Sequence, residues 1–167
     1  MTSPVDDPVA IQIRDARDDD SWDLIGLIAA CWAEYPGCIL DVHMEEPWLL
    51  APATAYAEQG GRLWVAEMDR RVVASVALRP AAEPGGVALK SLYVARAARR
   101  RGLGERLVAL VEAEARGRGA SFIELWTDTR FVDAHRLYER RGYVRGPHTR
   151  ELHDLSKSVE YFYRRDM

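Results

Sequence analysis

Residues 89–107, LKSLYVARAARRRGLGERL, constrain what this chain can fold into more than any other stretch. An apolar strand-like run enters a loop of arginines and glycines, and the loop opens a helix. Glycines let a backbone approach a ligand closely, and the first N–H groups of a helix have no internal acceptor. The helix macrodipole adds positive potential at the same place, so the segment reads as an anion site. Five arginines and one glutamate between Arg96 and Arg106 give a local +4 in a chain whose 23 Lys and Arg against 26 Asp and Glu leave −3. A net-negative chain argues against bulk nucleic-acid binding. A local nucleic-acid patch or a merely solvated basic face stays open as a rival reading. The loop is not a P-loop, because no Gly-Lys-Ser/Thr follows its first glycine, and Leu107 fills the third glycine position of a dinucleotide fingerprint.

At 167 residues the chain is read as one domain, 1–167, long enough to bury roughly 70% of its unfolded surface. Hydrophobic residues at 48% and charged residues at 29% speak for a packed core over disorder. Cys31 and Cys38 make neither a disulfide framework nor a zinc spacing, so no metal site is expected. The opening residues are polar and acidic, unlike a signal peptide, and no apolar run reaches the length of a membrane span. These features predict a cytoplasmic protein with free thiols and no membrane partner.

Periodicity predicts the element order β-α-(α)-β-β-β-α-β-α-β-β. A first strand is expected over residues 9–14, and a helix from about Trp22 to Tyr35 carries Trp22, Ile25, Ile28, Ala29 and Trp32 on one stripe, with Asp18 to Ser21 offering its cap. A loop and short helix follow, then strands at 62–68 and 72–79 separated by Asp69-Arg70-Arg71. A strand at 87–94 precedes the arginine–glycine loop, and Leu103, Leu107, Leu110 and Val111 mark the next helix. A strand at 121–127, a short helix from Asp133 to Gly142, a strand starting at Tyr143, a polar loop at 148–158 and a last strand at 159–163 complete the chain. The class is α/β with a mixed sheet.

The run Arg99-Arg100-Arg101-Gly102-Leu103-Gly104 resembles the cofactor motif of the GNAT superfamily of N-acetyltransferases, Arg/Gln-x-x-Gly-x-Gly/Ala. A second segment agrees: Ala134, Leu137, Tyr138, Gly142 and Tyr143 occupy the positions of that family's Ala-x-x-Leu/Phe-Tyr-x-x-x-Gly-Phe/Tyr signature. The resemblance is close over residues 87–145. It implies a GNAT-like, mostly antiparallel central sheet with helices on both faces, and acetyl-CoA as acyl donor without a metal.

It also implies roles. The backbone N–H of Leu92 or Tyr93 would meet the oxyanion, and the amide of Val94 would hold the pantetheine arm. Amides from Arg100 through Arg101, Gly102, Leu103 and Gly104 to Glu105 would cradle the pyrophosphate, with Arg99 and its neighbours adding charge. Tyr138 would protonate the departing thiolate; read without the family, it is equally a helix tyrosine packed in the core. Where many members carry Asn seven residues before that tyrosine, this chain has Phe131, with Thr129 and Arg130 as the neighbouring candidates to replace it. No general base is assigned among Glu83, Glu124, Asp128, His153 and water.

The acceptor is expected between residues 34–50 and 148–158. The first of these holds Glu34, Asp41, Glu45 and Glu46 with no Lys or Arg, a local −4 that would attract a cationic amine, with Trp32, Tyr35 and Trp48 as pocket walls. The function expected is transfer of acetyl from acetyl-CoA to a primary amine of a small molecule. A protein N-terminal or lysine acetyltransferase, a noncatalytic acyl-CoA sensor and a nucleic-acid module stand as alternatives. Family analogy adds a homodimer.

Overall fold

The computed structural model describes residues 9–167; the polar opening residues lie outside them. Seven strands form one sheet: β1 (Gln12–Asp15), β2 (Arg62–Met68), β3 (Arg71–Pro80), β4 (Gly86–Val94), β5 (Phe122–Asp128), β6 (Val144–Glu151) and β7 (Val159–Asp166). Their order is β1-β2-β3-β4-β5-β7-β6, and every neighbouring pair is antiparallel except β4 and β5. Four helices accompany it: α1 (Ser21–Trp32), α2 (Pro52–Glu58), α3 (Leu103–Gly117) and α4 (Val132–Arg140).

Each face of the sheet carries its own core. Leu103, Leu107, Val108, Val111 and Ala115 recur at helical spacing on α3 and pack with Leu137 and Tyr138 of α4 against Ala74, Val76, Leu78, Leu89, Ile123 and Leu125. On the other face Leu24, Leu27 and Ile28 of α1 and Tyr56 of α2 cover Leu63, Val65, Val72 and Ala77. Helices on both faces of a mostly antiparallel sheet is the arrangement the family resemblance implies, and it agrees with the mixed α/β class read from the pattern. Asp69 and Arg70, both at positive φ, make the two-residue hairpin turn between β2 and β3.

Five details depart from the sequence reading. The first strand covers only Gln12–Asp15, and α1 ends at Trp32, with turns carrying the chain through Tyr35. Trp22 is 83% exposed and is not on the buried stripe. Asp20 makes no side-chain cap on α1; its carboxylate takes the Arg17 N–H and the Arg14 guanidinium. Residues 148–151, read as loop, belong to β6, because an edge strand pairs on one side only and tolerates a polar sequence.

The join between β4 and β5 positions the site. Their parallel pairing spans only Gly86–Ala88 against Phe122–Glu124, and beyond it the strands separate. Across β3, Ser75 pairs with Tyr93 and Ala77 with Lys90, so Ser91 and Leu92 together face Val76 alone. This is a bulge, and Ser91 adopts φ +53° to make it. The Ser75 hydroxyl donates to the Ser91 carbonyl at 2.7 Å, and the Ser91 and Tyr56 hydroxyls lie 2.7 Å apart.

Candidate active site

Two cavities meet at the separation of β4 and β5. One of about 710 Å³ is lined by Leu92, Tyr93 and Val94, by Arg99, Arg100, Gly102, Leu103, Gly104 and Glu105, and by α4 through Ala134 and Leu137. The other, of about 320 Å³, lies toward α2 and the 152–158 loop. Trp32, Leu92, Tyr93, Phe131 and Ala134 wall both, so a molecule in the first can meet a molecule in the second there.

The larger cavity has the features of an anion cleft. Gly102, the N-cap of α3, sits at φ +69° with no side-chain cap, and the first helical bond runs from Arg106 N–H to the Gly102 carbonyl. The amides of Leu103, Gly104 and Glu105 therefore lack helical acceptors. A Cβ on Gly102 would meet nothing within 4 Å, so the glycine serves the backbone turn and leaves open approach for a ligand. Arg100, also at positive φ, turns the preceding loop.

Strand alternation sorts the amides of β4. Ala95 N–H donates to the Val73 carbonyl at 2.8 Å, so Ala95 and, two residues back, Tyr93 face β3. Leu92 and Val94 then turn their amides to the open side. The Val94 carbonyl accepts the Arg99 Nε–H at 2.9 Å and the Cys31 thiol at 3.6 Å, and burial pushes that thiol's pKa up.

The arginines differ among themselves. Arg99 forks onto Glu34, whose carboxyl the Arg99 hydrogen bonds hold below its ordinary pKa, and Arg96 reaches the same carboxylate at 3.0 Å. Arg101 turns out of the cleft, its Nη1 lying 3.6 Å from the Met68 sulfur. Glu105 pairs with Arg140 and Arg141 across to α4. Glu34 thus belongs to the anion cleft and not to the acceptor side where the sequence put it, and Tyr35 stands with it, its ring 4.9 Å from that of Phe131.

Tyr138 is 5% exposed yet lines the smaller cavity from α4. Its ring contacts Tyr143 and Tyr163, and its hydroxyl makes no hydrogen bond among the described residues. Burial pushes its pKa well above the ordinary tyrosine value. Phe131, the residue before α4, offers no hydrogen bond at the junction. Neither neighbour lines a cavity: Arg130 is held by both Asp128 oxygens, and the Thr129 N–H donates to the Val159 carbonyl. Burial works to raise the Asp128 carboxyl, but the bonds from Arg130 outweigh it and keep the group anionic. Glu83 pairs with Arg164 at 3.1 Å and stands in neither cavity.

The smaller cavity contains residues the sequence reading passed over. Lys90, Tyr56, Ser91, Trp126 and Arg150 line it together with Glu46, Trp48 and Asp154. A lysine between Leu89 and Leu92 in an otherwise apolar strand was the available signal. Loops 38–46 and 152–158 are laced over this side: Ile39 N–H donates to Ser156 Oγ at 2.8 Å, Ser156 Oγ donates to the Ile39 carbonyl at 3.1 Å, and Leu155 N–H donates to Glu45 at 2.7 Å. No helix among the described residues is long and apolar enough to cross a membrane, and no metal-holding cluster occurs among them.

Residues 24–143 match the acetyltransferase (GNAT) family. Human N-acetyltransferase 8 is 31% identical over 116 residues, covering 67% of this chain and 49% of its own length, so the chain spans about half of that curated relative. An acetyltransferase of the GNAT family from Staphylococcus aureus Mu50 superposes with a TM-score of 0.80 at 21% identity, over 94% of this chain and 99% of that one. The acetyltransferase yncA of Salmonella typhimurium, solved with its cofactor acetyl-CoA, gives 0.69 at 18% identity, over 94% of each chain. The two structures share the fold, and the match of sequence across both motifs, the split strands and the uncapped helix gives the identity: this chain belongs to the acetyltransferase (GNAT) family.

Proposed function

We propose that this chain is an N-acetyltransferase that moves acetyl from acetyl-CoA to a primary amine of a small molecule by direct attack in a ternary complex. The residues present suit the donor. The uncapped amides of Leu103, Gly104 and Glu105 and the N-terminal dipole of α3 offer a pyrophosphate seat, with Arg100 supplying charge and Arg99, paired with Glu34, adding less. Val94 N–H faces the open side, where a pantetheine amide would lie, and Leu92 N–H would meet the oxygen that gains charge during attack.

The donor supplies an acetyl thioester: the N–C bond forms, the C–S bond breaks, and an ammonium acceptor gives up two protons, one to solvent and one to sulfur. Tyr138 donates that second proton and is then reprotonated. Like any tyrosine it is protonated at neutral pH, as a general acid requires, and burial makes it a weaker acid until the thiolate forms beside it.

The observation that carries the small-molecule reading is the lacing of loops 38–46 and 152–158 beside the 320 Å³ cavity. A protein acceptor needs an open groove along which a chain can lie. Here those two loops are joined by hydrogen bonds between residues 110 to 117 positions apart. CoA release with a panel of small amines and of peptides tests the reading. Release with small amines supports it; release with peptides alone would replace it by protein acetylation.

A further inference from the structure

Leu89 is buried against the α3 core, so alternation along β4 turns Lys90 to the opposite face, across from Ala77 and into the 320 Å³ cavity. The other charged groups there are engaged. Arg150 pairs with Glu160 at 2.7 Å and lies over the Trp126 ring, 4.3 Å from its centroid. Arg79 donates to Gln59 at 2.7 Å, Asp128 holds Arg130, and Asp154 accepts from the Ser158 N–H and hydroxyl.

Two groups are left over. The Lys90 ammonium makes no hydrogen bond or ion pair among the described residues. Glu46 accepts only the Trp48 Nε1–H, at 2.6 Å. The two feel each other's charge without pairing, and burial pushes the Lys90 pKa down and the Glu46 pKa up. A partly buried ammonium without a partner and a carboxylate with a single hydrogen bond are costly among walls such as Trp48, Tyr56 and Trp126. A plain amine would satisfy Glu46 and leave the Lys90 ammonium in the same space without an anion.

The geometry points to an acceptor that carries its own carboxylate, an amino-acid-like zwitterion whose carboxylate pairs with Lys90 while Glu46 receives its ammonium. This rests on the acetyl-CoA reading above and specifies its acceptor. Glu46 would take the first proton from the ammonium and pass it to solvent, leaving a neutral nitrogen to attack where the two cavities meet at Leu92.

The test is CoA release from acetyl-CoA with α-amino acids set against the same amines lacking the carboxylate: L-phenylalanine with 2-phenylethylamine, L-leucine with 3-methylbutylamine, L-lysine with 1,5-diaminopentane. The wild-type protein should favour the carboxylate-bearing partner of a pair by roughly 10- to 100-fold in kcat/KM, the range of a charge-assisted hydrogen bond. Lys90→Met should collapse that ratio toward one, mainly through KM of the amino acid, and Lys90→Arg should restore part of it. Equal use of both partners, or a ratio that Lys90→Met leaves standing, would overturn the zwitterion. So would release with none of the amino acids while acetyl-CoA still raises the melting temperature, and the donor reading would then survive. Loss of that thermal shift as well would remove both.

Discussion

Arg99 and Glu34 face each other fork to fork, Nη1 to Oε1 at 2.9 Å and Nη2 to Oε2 at 2.7 Å, while the Arg99 Nε–H is spent on the Val94 carbonyl. The first arginine of the cofactor motif is thus tied to the end of β4 and to the turn after α1, with its charge largely neutralised. Glu34→Gln should free Arg99 and Arg96 to act on phosphate. Acetyl-CoA binding should then tighten a few-fold at low salt and become more salt-dependent. Titrations at two ionic strengths check this; weaker binding at both would mean that Glu34 is needed to hold Arg99 in place.

Tyr138→Phe removes a hydroxyl that makes no hydrogen bond among the described residues. Stability should move by less than about 0.5 kcal/mol, while kcat falls by roughly 10²-fold or more and acetyl-CoA affinity holds. Stopped-flow turnover beside a thermal melt separates the two effects. Unchanged turnover would leave Tyr138 as packing alone.

Gly86 and Phe122 form the first rung of the short parallel pairing, and a Cβ on Gly86 would come within 2.2 Å of the Phe122 ring. Phe122 is 1% exposed and has no room to yield. Gly86→Ala should therefore cost about 1–3 kcal/mol, a drop on the order of 3–10 °C in melting temperature. It should also disturb the angle at which β4 and β5 part, weakening acetyl-CoA binding beyond what Gly102→Ala does through backbone strain alone.

Glu112, 2% exposed, receives Arg141 and Arg165 and the Tyr143 hydroxyl. Burial alone would raise its pKa, but the two guanidinium groups outweigh burial and hold it below the ordinary value. A depressed carboxyl contributes stability above its unfolded pKa and loses it as pH falls through the folded one. Glu112→Gln should thus cost about 1–3 kcal/mol at pH 7, discounted for the partly exposed arginines. The gap to wild type should close as pH drops below about 4. Denaturant melts at pH 7 and pH 3.5 measure it.

The fold was legible because its signals are local. Leu103, Leu107 and Val111 recur at helical spacing, Asp69-Arg70 punctuates two β-rich runs, and the arginine–glycine loop joins a strand to a helix. What was hidden depends on partners far along the chain. Glu34 looked like part of an acidic acceptor lip until Arg96 and Arg99, 62 and 65 residues away, claimed it. Lys90 looked like one polar residue in a strand, since nothing local says that the Ser91 bulge and the loss of pairing to β5 open a cavity beside it. Residues 148–151 lacked apolar alternation because β6 is an edge strand, paired only to β7.

The central claim is an acetyl-CoA site between β4, the arginine–glycine loop and α4. Melting temperature with and without acetyl-CoA, with ATP as a polyanion control, tests it most directly. At about 100 times the dissociation constant, one-site linkage gives about 2.7 kcal/mol, a rise on the order of 5–10 °C for a domain of this size. A rise with acetyl-CoA and none with ATP is the predicted result. No rise at millimolar acetyl-CoA would contradict the account.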